Sequence, residues 1–153
     1  MAKGMYKIFL ALLLSILSVQ AGLSRLEALS MIESGDNDYA IGGAGEVSRY
    51  QIKPNVWRLY SGLRDYQDKQ LSGFVARQYL SSLERSFEKR AGHPPTDFDI
   101  YVLWNAGFTY YARLDFSAQR VSRLIGERAR RFVNLRQMPN GPQLTARTGS
   151  EKR

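Results

Sequence analysis

The chain has 153 residues, no cysteine, a single histidine and a formal net charge of +8. This length allows one domain with a hydrophobic core and is short for two. The lack of cysteine excludes disulfide bonds and thiolate metal sites. The histidine, His93, stands beside two prolines and is expected in a surface loop, so it gives no support to a histidine-based catalytic triad. No motif implies a metal or a cofactor.

Residues 1–21 have the pattern of a secretory signal peptide. Lys3 and Lys7 give a basic start, and an almost unbroken apolar run at 8–17 leads to short residues before the cleavage point. The alternative is a retained anchor, although this run is short for a bilayer-spanning helix. Cleavage would leave a mature chain that starts near Gly22 with a charge of +6. The mature protein is therefore expected in the periplasm, the cell envelope or the extracellular space.

The mature chain is expected to begin with a helix and a turn-rich loop. Apolar residues recur at helical spacing from Leu23 to Ile32, and Gly35 can end that helix in a left-handed cap. Residues 36–45 combine aspartate, asparagine and glycine, which is typical of turns. Residues 47–52 alternate as a short strand or an extended segment would.

Two helices and a central third helix are predicted next. Pro54 suits the first position of a helix that Gly62 stops. The longest helix carries one apolar stripe and ends at Gly92 before two prolines. Its stripe consists of Leu71, Phe74, Val75, Tyr79, Leu83 and Phe87. Thr96 and Asp99 resemble a capping box for the third helix, which is apolar nearly all round and should be buried centrally.

The end of the chain predicts a loop, a last helix and a tail. Residues 108–116 are interpreted as an aromatic loop, and Ser117 as the cap of the last helix. The inward residues of that helix are predicted to be Val121, Leu124, Ile125, Ala129, Phe132 and Val133. Residues 137–153 lack apolar periodicity and are predicted to be a disordered basic tail. The predicted fold is mainly α, with several helices around a central buried helix and a small irregular β element, in one domain at 22–136.

Glu33 is the first candidate for catalysis. It falls at the C-terminal end of the first predicted helix, where the helix dipole disfavours a carboxylate. Partial burial under the glycine-rich loop would raise its pKa and keep it protonated near neutral pH. Cleavage of a glycosidic bond needs such an acid, because the leaving sugar oxygen must receive a proton. The alternative is a solvated surface glutamate.

Three short segments, in order and at compatible distances, resemble motifs of the lysozyme-like lytic transglycosylases, also known as the soluble lytic transglycosylase type. The matching residues are Glu33-Ser34 for the Glu-Ser motif that closes a helix, Gln51, Ile52 and Pro54 for Gly-Leu-Met-Gln-x-x-Pro, and 104–107 for Ala-Tyr-Asn-Ala-Gly. Trp104 stands where tyrosine is usual. The resemblance extends over residues 23–135.

This resemblance implies a lysozyme-like catalytic domain that cleaves peptidoglycan, with Glu33 as the general acid and then the base. Gln51 and Asn105 would line the sugar-binding cleft, with Asn105 near the reacting N-acetylmuramoyl unit. Aromatic rings with polar tips suit stacking on sugar faces. The substrate-binding residues are predicted to be Ser34, Tyr50, Gln51, Trp104, Asn105, Tyr110 and Tyr111.

The aromatic residues are not all expected to be equally exposed. Tyr110 and Tyr111 should be exposed, because they follow a glycine that ends a helix. Core packing is the alternative for Trp104 and for Tyr101.

The segment Gly45–Gln51 departs from the family pattern, since Arg49 and Tyr50 replace the usual leucine and methionine. It also carries Glu46, a second candidate catalytic residue. Most transglycosylases of this type use a single acidic residue, and the 6-hydroxyl of the substrate closes an anhydro ring. A second carboxylate in the cleft could instead activate water, as in lysozymes. The alternative is that Glu46 pairs with Arg49 or Arg25, or braces the loop.

The sequence therefore predicts an exported lytic transglycosylase that leaves 1,6-anhydro-N-acetylmuramoyl ends. A hydrolytic lysozyme and a non-catalytic wall-binding protein are the alternatives. Its expected partners are peptidoglycan glycan strands and, through its positive charge, anionic wall polymers. A nucleic-acid partner is not expected, because no helix-turn-helix or aromatic RNA-binding signature is present. The protein is expected to be a monomer.

Overall fold

A computed structural model describes residues 22–138, and this part of the chain is mainly helical. The helices are α1 (Arg25–Ser34), α2 (Pro54–Trp57), α3 (Lys69–Ala91), α4 (Asp97–Ala106), α5 (Phe108–Arg113) and α6 (Arg123–Gln137), with a 3-10 turn at Ala118–Arg120. The mainly α class is confirmed. No helix within 22–138 is long and apolar enough to cross a bilayer. The predicted signal peptide and residues 139–153 of the predicted tail lie outside the described residues.

Helix α4 is the centre of the fold. Its residues Ile100–Leu103 are wholly inaccessible to solvent, and the helix packs most extensively against α6 and also against α3 and α5. Burial of an apolar side chain of this size contributes about 1.5–3 kcal/mol. The predicted central position of this helix is therefore confirmed.

The predicted capping box of α4 is also confirmed. The Thr96 hydroxyl accepts the backbone N–H of Asp99 at 3.2 Å, and the Asp99 carboxylate accepts the backbone N–H of Thr96 at 2.8 Å. The same buried carboxylate accepts the hydroxyl of Tyr111 at 2.5 Å. One aspartate thus fixes the start of α4 and ties it to α5.

Glycine caps end two helices as predicted, while the predicted apolar stripe of α3 has one wrong member. Gly35 and Gly92 adopt left-handed conformations, with φ of 65° and 80°, after α1 and α3. Val75, Leu83 and Phe87 on α3 are buried, but Phe74 is 44% exposed. Consecutive helical residues lie about 100° apart, so Phe74 and the buried Ala76 lie on opposite sides of Val75, and the buried face extends towards Ala76.

The loop between α1 and α2 contains two isolated antiparallel bridges, Ile41 with Val47 and Val47 with Ile52. The predicted β element is therefore no more than a pair of bridges in an otherwise irregular segment. Helix α2 begins at Pro54 as predicted but ends at Trp57, well before Gly62. The buried indole of Trp57 donates a hydrogen bond to the carbonyl oxygen of Leu63 at 2.8 Å.

The predicted aromatic loop at 108–116 is wrong, because Phe108–Arg113 is helix α5. Gly107 explains the difference. Its φ of 84° and ψ of 160° turn the backbone sharply enough for a new helix to begin directly after α4. Beyond α5, Phe116 packs edge-on against Phe87, with ring centroids 4.8 Å apart. The aromatic residues of this segment therefore extend the core.

The last helix also differs from its prediction at both ends. Ser117 precedes the 3-10 turn, whereas Ser122 is the residue before α6, and no side-chain hydrogen bond caps that end. The helix extends to Gln137, the first residue of the predicted tail. Leu124, predicted to face inward, is 69% exposed, because it lies in the first turn and the buried residues of α6 begin only at Gly126.

Thr96→Ala tests the capping box. This change removes the hydroxyl from a reciprocal hydrogen-bond pair, and we expect it to lower the free energy of unfolding by about 1 kcal/mol. The midpoint of thermal unfolding, followed by circular dichroism, should fall by roughly 3–6 °C. Thr109→Ala, at an exposed position of α5, is the matched control and should leave the midpoint nearly unchanged. Equal midpoints in both variants would contradict the assigned role of Thr96.

Candidate active site

An open cleft of about 390 Å³ lies between the end of α1, the α1–α2 loop, the end of α4 and the face of α6. Five predicted site residues line it, and these are Glu33, Glu46, Gln51, Trp104 and Asn105. Helix ends and loop backbone thus bring together residues that are far apart in the sequence. Ser34, Tyr50, Tyr110 and Tyr111 do not line the cleft.

Glu33 is held by a side chain from the central helix. The hydroxyl of Tyr101, which is wholly buried, donates a hydrogen bond to Oε1 of Glu33 at 2.7 Å. Since Oε1 is an acceptor in this pair, a proton on the Glu33 carboxyl would reside on Oε2. The hydrogen bond also fixes the orientation of the carboxyl group at the wall of the cleft.

Burial raises the pKa of Glu33 above its usual value, as predicted from its position in the sequence. Smaller effects act in both directions. The Tyr101 hydrogen bond and the charge of Arg128 lower this pKa, and the charge of Glu46 raises it. Desolvation disfavours the charged carboxylate, whereas donors and cations favour it. The balance keeps a proton on Glu33 to a higher pH than on a solvated glutamate.

Glu46 lines the same cleft but is held by its own loop. Its Oε2 accepts the backbone N–H of Ala44 at 3.1 Å. The expected alternative, an ion pair with Arg49 or Arg25, is wrong, because both arginines bind other carboxylates. Within the described residues, the hydrogen bond to Ala44 is thus the polar contact of the Glu46 side chain, and it braces the glycine-rich loop.

Arg49 clamps the loop onto the end of α1. Its guanidinium donates to both oxygens of Asp38, at 2.5 and 2.7 Å, and also to Asp36 at 3.3 Å. The Arg49 hydrogen bonds hold the pKa of Asp38 below its usual value. Ser34 completes the clamp, since its hydroxyl donates to the Arg49 carbonyl oxygen at 2.8 Å and accepts the N–H of Asn37 at 3.1 Å. Ser34 therefore positions the loop and does not face the cleft.

Gly42 is the point where the loop, Glu46 and Gln51 meet. A Cβ atom at this position would collide with Oε2 of Glu46 and Oε1 of Gln51. Gln51 has a positive φ of 50°, and its side-chain amide donates to the carbonyl oxygen of Ser48 at 3.0 Å. A side chain at position 42 would thus displace two polar groups of the cleft.

Three of the four predicted stacking residues have other surroundings. Tyr50 is 8% exposed, and its carbonyl oxygen accepts the Trp104 indole N–H at 3.2 Å. Tyr111 is wholly buried, so its predicted exposure is wrong, while the hydroxyl of half-buried Tyr110 accepts the N–H of Ser122 at 3.1 Å. Tyr111 belongs to the core, whereas Tyr110 packs against the core and remains partly accessible. Trp104 is the one of the four that lines the cleft, although it is only 7% exposed and also belongs to the core.

Several residues of the site were not identified from the sequence. These are Tyr101, as the donor to Glu33, and the lining residues Gly42, Lys53, Tyr79 and Arg128. Buried tyrosine hydroxyls usually find a partner, so a tyrosine within the apolar stretch of α4 was a usable signal. The sequence offers no signal that distinguishes Arg128 from the other arginines of its helix.

Tyr101→Phe tests the pairing with Glu33. The change removes the donor that favours the carboxylate, so the pKa of Glu33 should rise further. Carbon NMR titration of the Glu33 carboxyl measures this shift directly. Tyr111→Phe also removes a buried hydrogen bond, the one to Asp99, and should leave the titration of Glu33 unchanged. A lower or identical pKa in Tyr101→Phe would contradict the pairing.

The chain has no significant match among protein-family models, curated proteins or solved structures.

Proposed function

We propose that the protein is an exported enzyme that cleaves the β-1,4 bond between N-acetylmuramic acid and N-acetylglucosamine in peptidoglycan, through a lysozyme-like domain. One observation carries this proposal. Glu33, a carboxyl group with a raised pKa, stands in the wall of an open cleft and is oriented by a buried tyrosine. A pure wall-binding protein has no need for such an acid. The order of the Glu-Ser, Gln-Ile-x-Pro and Trp-Asn-Ala-Gly segments supports the same conclusion.

In the proposed reaction Glu33 acts twice. Its Oε2 proton passes to the leaving 4-oxygen of N-acetylglucosamine as the bond from that oxygen to C1 of the muramoyl unit breaks. The resulting carboxylate then takes the proton of the muramoyl 6-hydroxyl, whose oxygen bonds to C1 and closes the 1,6-anhydro ring. The Tyr101 hydroxyl stabilises the carboxylate between these steps. The side-chain amides of Gln51 and Asn105, which line the cleft, would hydrogen-bond the sugars.

Hydrolysis is the second candidate reaction, because Glu46 lines the same cleft as Glu33. As a base, Glu46 would take a proton from water, and the product would be a reducing sugar. The hydrogen bond from Ala44 and the contact with Gly42 favour a loop-bracing role instead. We therefore favour the transglycosylase over the lysozyme.

Export and wall association belong to the same proposal. The N-terminal pattern would send the chain across the membrane, and the mature charge of +6 would favour anionic wall polymers. Residues 1–21 and 139–153, which carry the export pattern and part of this charge, lie outside the described residues.

Glu33→Gln should reduce turnover of purified sacculi by at least about two orders of magnitude, because glutamine cannot donate the proton.

The raised pKa of Glu33 also affects stability. The folded state loses stability as the pH rises from the pKa of this carboxyl in the unfolded chain to its pKa in the folded protein. The variant should therefore be as stable as the wild type, or more stable, at pH 7 and gain nothing under acidic conditions. Release of soluble muropeptides and thermal melts at two pH values measure both effects. Glu88→Gln, at an exposed site on α3, is the control, and near-normal turnover in folded Glu33→Gln would eliminate Glu33 as the acid.

Glu46→Gln separates the two candidate reactions. If Glu46 braces the loop, the variant should be slower or less stable but still release anhydro-ended muropeptides, each lighter by one water than a hydrolytic product. If Glu46 activates water, the wild type should release reducing ends and the variant should lose activity as fully as Glu33→Gln does. Mass spectrometry of the products decides between them, and reducing ends alone from the wild type would overturn the transglycosylase.

A further inference from the structure

Arg128 is a cation in the cleft that the proposed reaction does not use. It is half-buried on α6 and shares the cleft wall with Glu33 and Asn105. Its positive charge favours the ionised forms of Glu33 and Tyr101 and so opposes the rise in their pKa that burial causes. Arg128 is thus beside the proposed reaction centre and not on a remote surface.

The guanidinium of Arg128 forms no ion pair or direct side-chain hydrogen bond with any residue in 22–138. Other partly buried arginines in this range are paired, for example Arg25, Arg49 and Arg136 with aspartates. A guanidinium that loses part of its hydration is normally compensated by a carboxylate or phosphate. Within the cleft, burial disfavours the charged form of Glu33, and Glu46 is hydrogen-bonded to its own loop.

The partner that Arg128 lacks is therefore expected to arrive with the substrate. A muramoyl unit carries a lactyl group on its 3-oxygen. In a strand that has lost its peptides this group ends in a free carboxylate. In an intact strand it is an amide, and the carboxylates lie further out on the peptide stem. Glu33 would act at C1 of the same sugar ring. Because Arg128 lines the same cleft as Glu33, a substituent on this ring would lie near the guanidinium.

We propose that Arg128 is a specificity-determining residue that binds a carboxylate carried by the muramoyl unit. This role rests on the proposed function. The planar guanidinium can donate two parallel hydrogen bonds to a carboxylate, which lysine cannot reproduce. The carboxylate has two possible sources, the lactyl group of a stem-free strand or the peptide stem of an intact one.

The test compares kcat/KM for three soluble glycan strands at constant ionic strength. The first bears peptide stems, the second is stem-free with free lactyl carboxylates, and the third is stem-free with each lactyl carboxylate converted to a neutral methylamide. We expect the wild type to prefer a carboxylate strand to the methylamide strand by about ten- to a hundredfold, the effect of one charge-assisted hydrogen bond. Preference for the second strand identifies the lactyl carboxylate, and preference for the first identifies the stem.

In Arg128→Gln, the ratio of kcat/KM for the carboxylate strand to that for the methylamide strand should fall to about one. Arg130→Gln, which makes the same charge change on the exposed face of α6, is the control and should retain the preference. Arg128→Lys keeps the positive charge near Glu33 but lacks the planar fork, so it should retain the pH profile of the wild type and recover the preference only in part. If Arg128→Gln does not fold, the lysine variant supplies the comparison.

Two outcomes would overturn the role of Arg128. One is cleavage of all three strands by the wild type at equal kcat/KM. The other is an equal loss on all three strands in Arg128→Gln, which would mean that the residue acts only through Glu33. Failure of the wild type to cleave any strand would instead overturn the proposed function. In that case the binding role of Arg128 is tested by calorimetry with the same strands. Loss of affinity in Arg128→Gln for the carboxylate strand alone would still support a carboxylate-binding site at Arg128.

Discussion

Burial of the middle of α4, where residues 99–104 are all buried, is the constraint on which the rest of the structure depends. A helix with almost no solvent-facing side must satisfy its polar side chains internally, and each partner ties it to another element. Asp99 binds α5, Tyr101 binds Glu33 on α1, and the indole of Trp104 binds the backbone of the loop. Tyr101 and Asn105 are four residues apart, so they share one helix face. The shape of the cleft thus follows from the hydrogen bonds that the buried polar side chains of α4 make with the surrounding elements.

Some of the partly buried charged residues of the described region are paired with an opposite charge, and others are not. Arg25, Arg49 and Arg136 are paired with acids and hold helices and the loop in place. Glu33 and Arg128 have no oppositely charged partner within 4 Å in the same region, and both line the cleft. A fold that pairs the charges of its framework and leaves the Arg128 cation of its cleft unpaired keeps electrostatic free energy available for a bound anion. Burial and the Tyr101 hydrogen bond shift the pKa of Glu33 in opposite directions, which suits its proposed role of releasing and then recovering a proton.

The features that could be predicted from the sequence depend on short-range physics. Caps such as Thr96 and Gly35 involve residues within three or four positions of each other, and the apolar helix α4 identifies itself by composition. Gly107 was recognised as a helix end, but the sequence does not reveal that its backbone angles allow another helix at once. In the site, Glu33 was found through its place at a helix end and the order of the motifs. Arg128 was not, because its position in the cleft depends on how α6 packs on α4.

Gly42 shows how strongly one small residue can couple others. Its missing side chain is the space that the carboxylate of Glu46 and the amide of Gln51 occupy. These three positions are therefore not free to diverge independently over evolutionary time. A larger residue at position 42 would require both flexible side chains to move, so a change at this one position would rearrange a carboxylate and an amide of the cleft together.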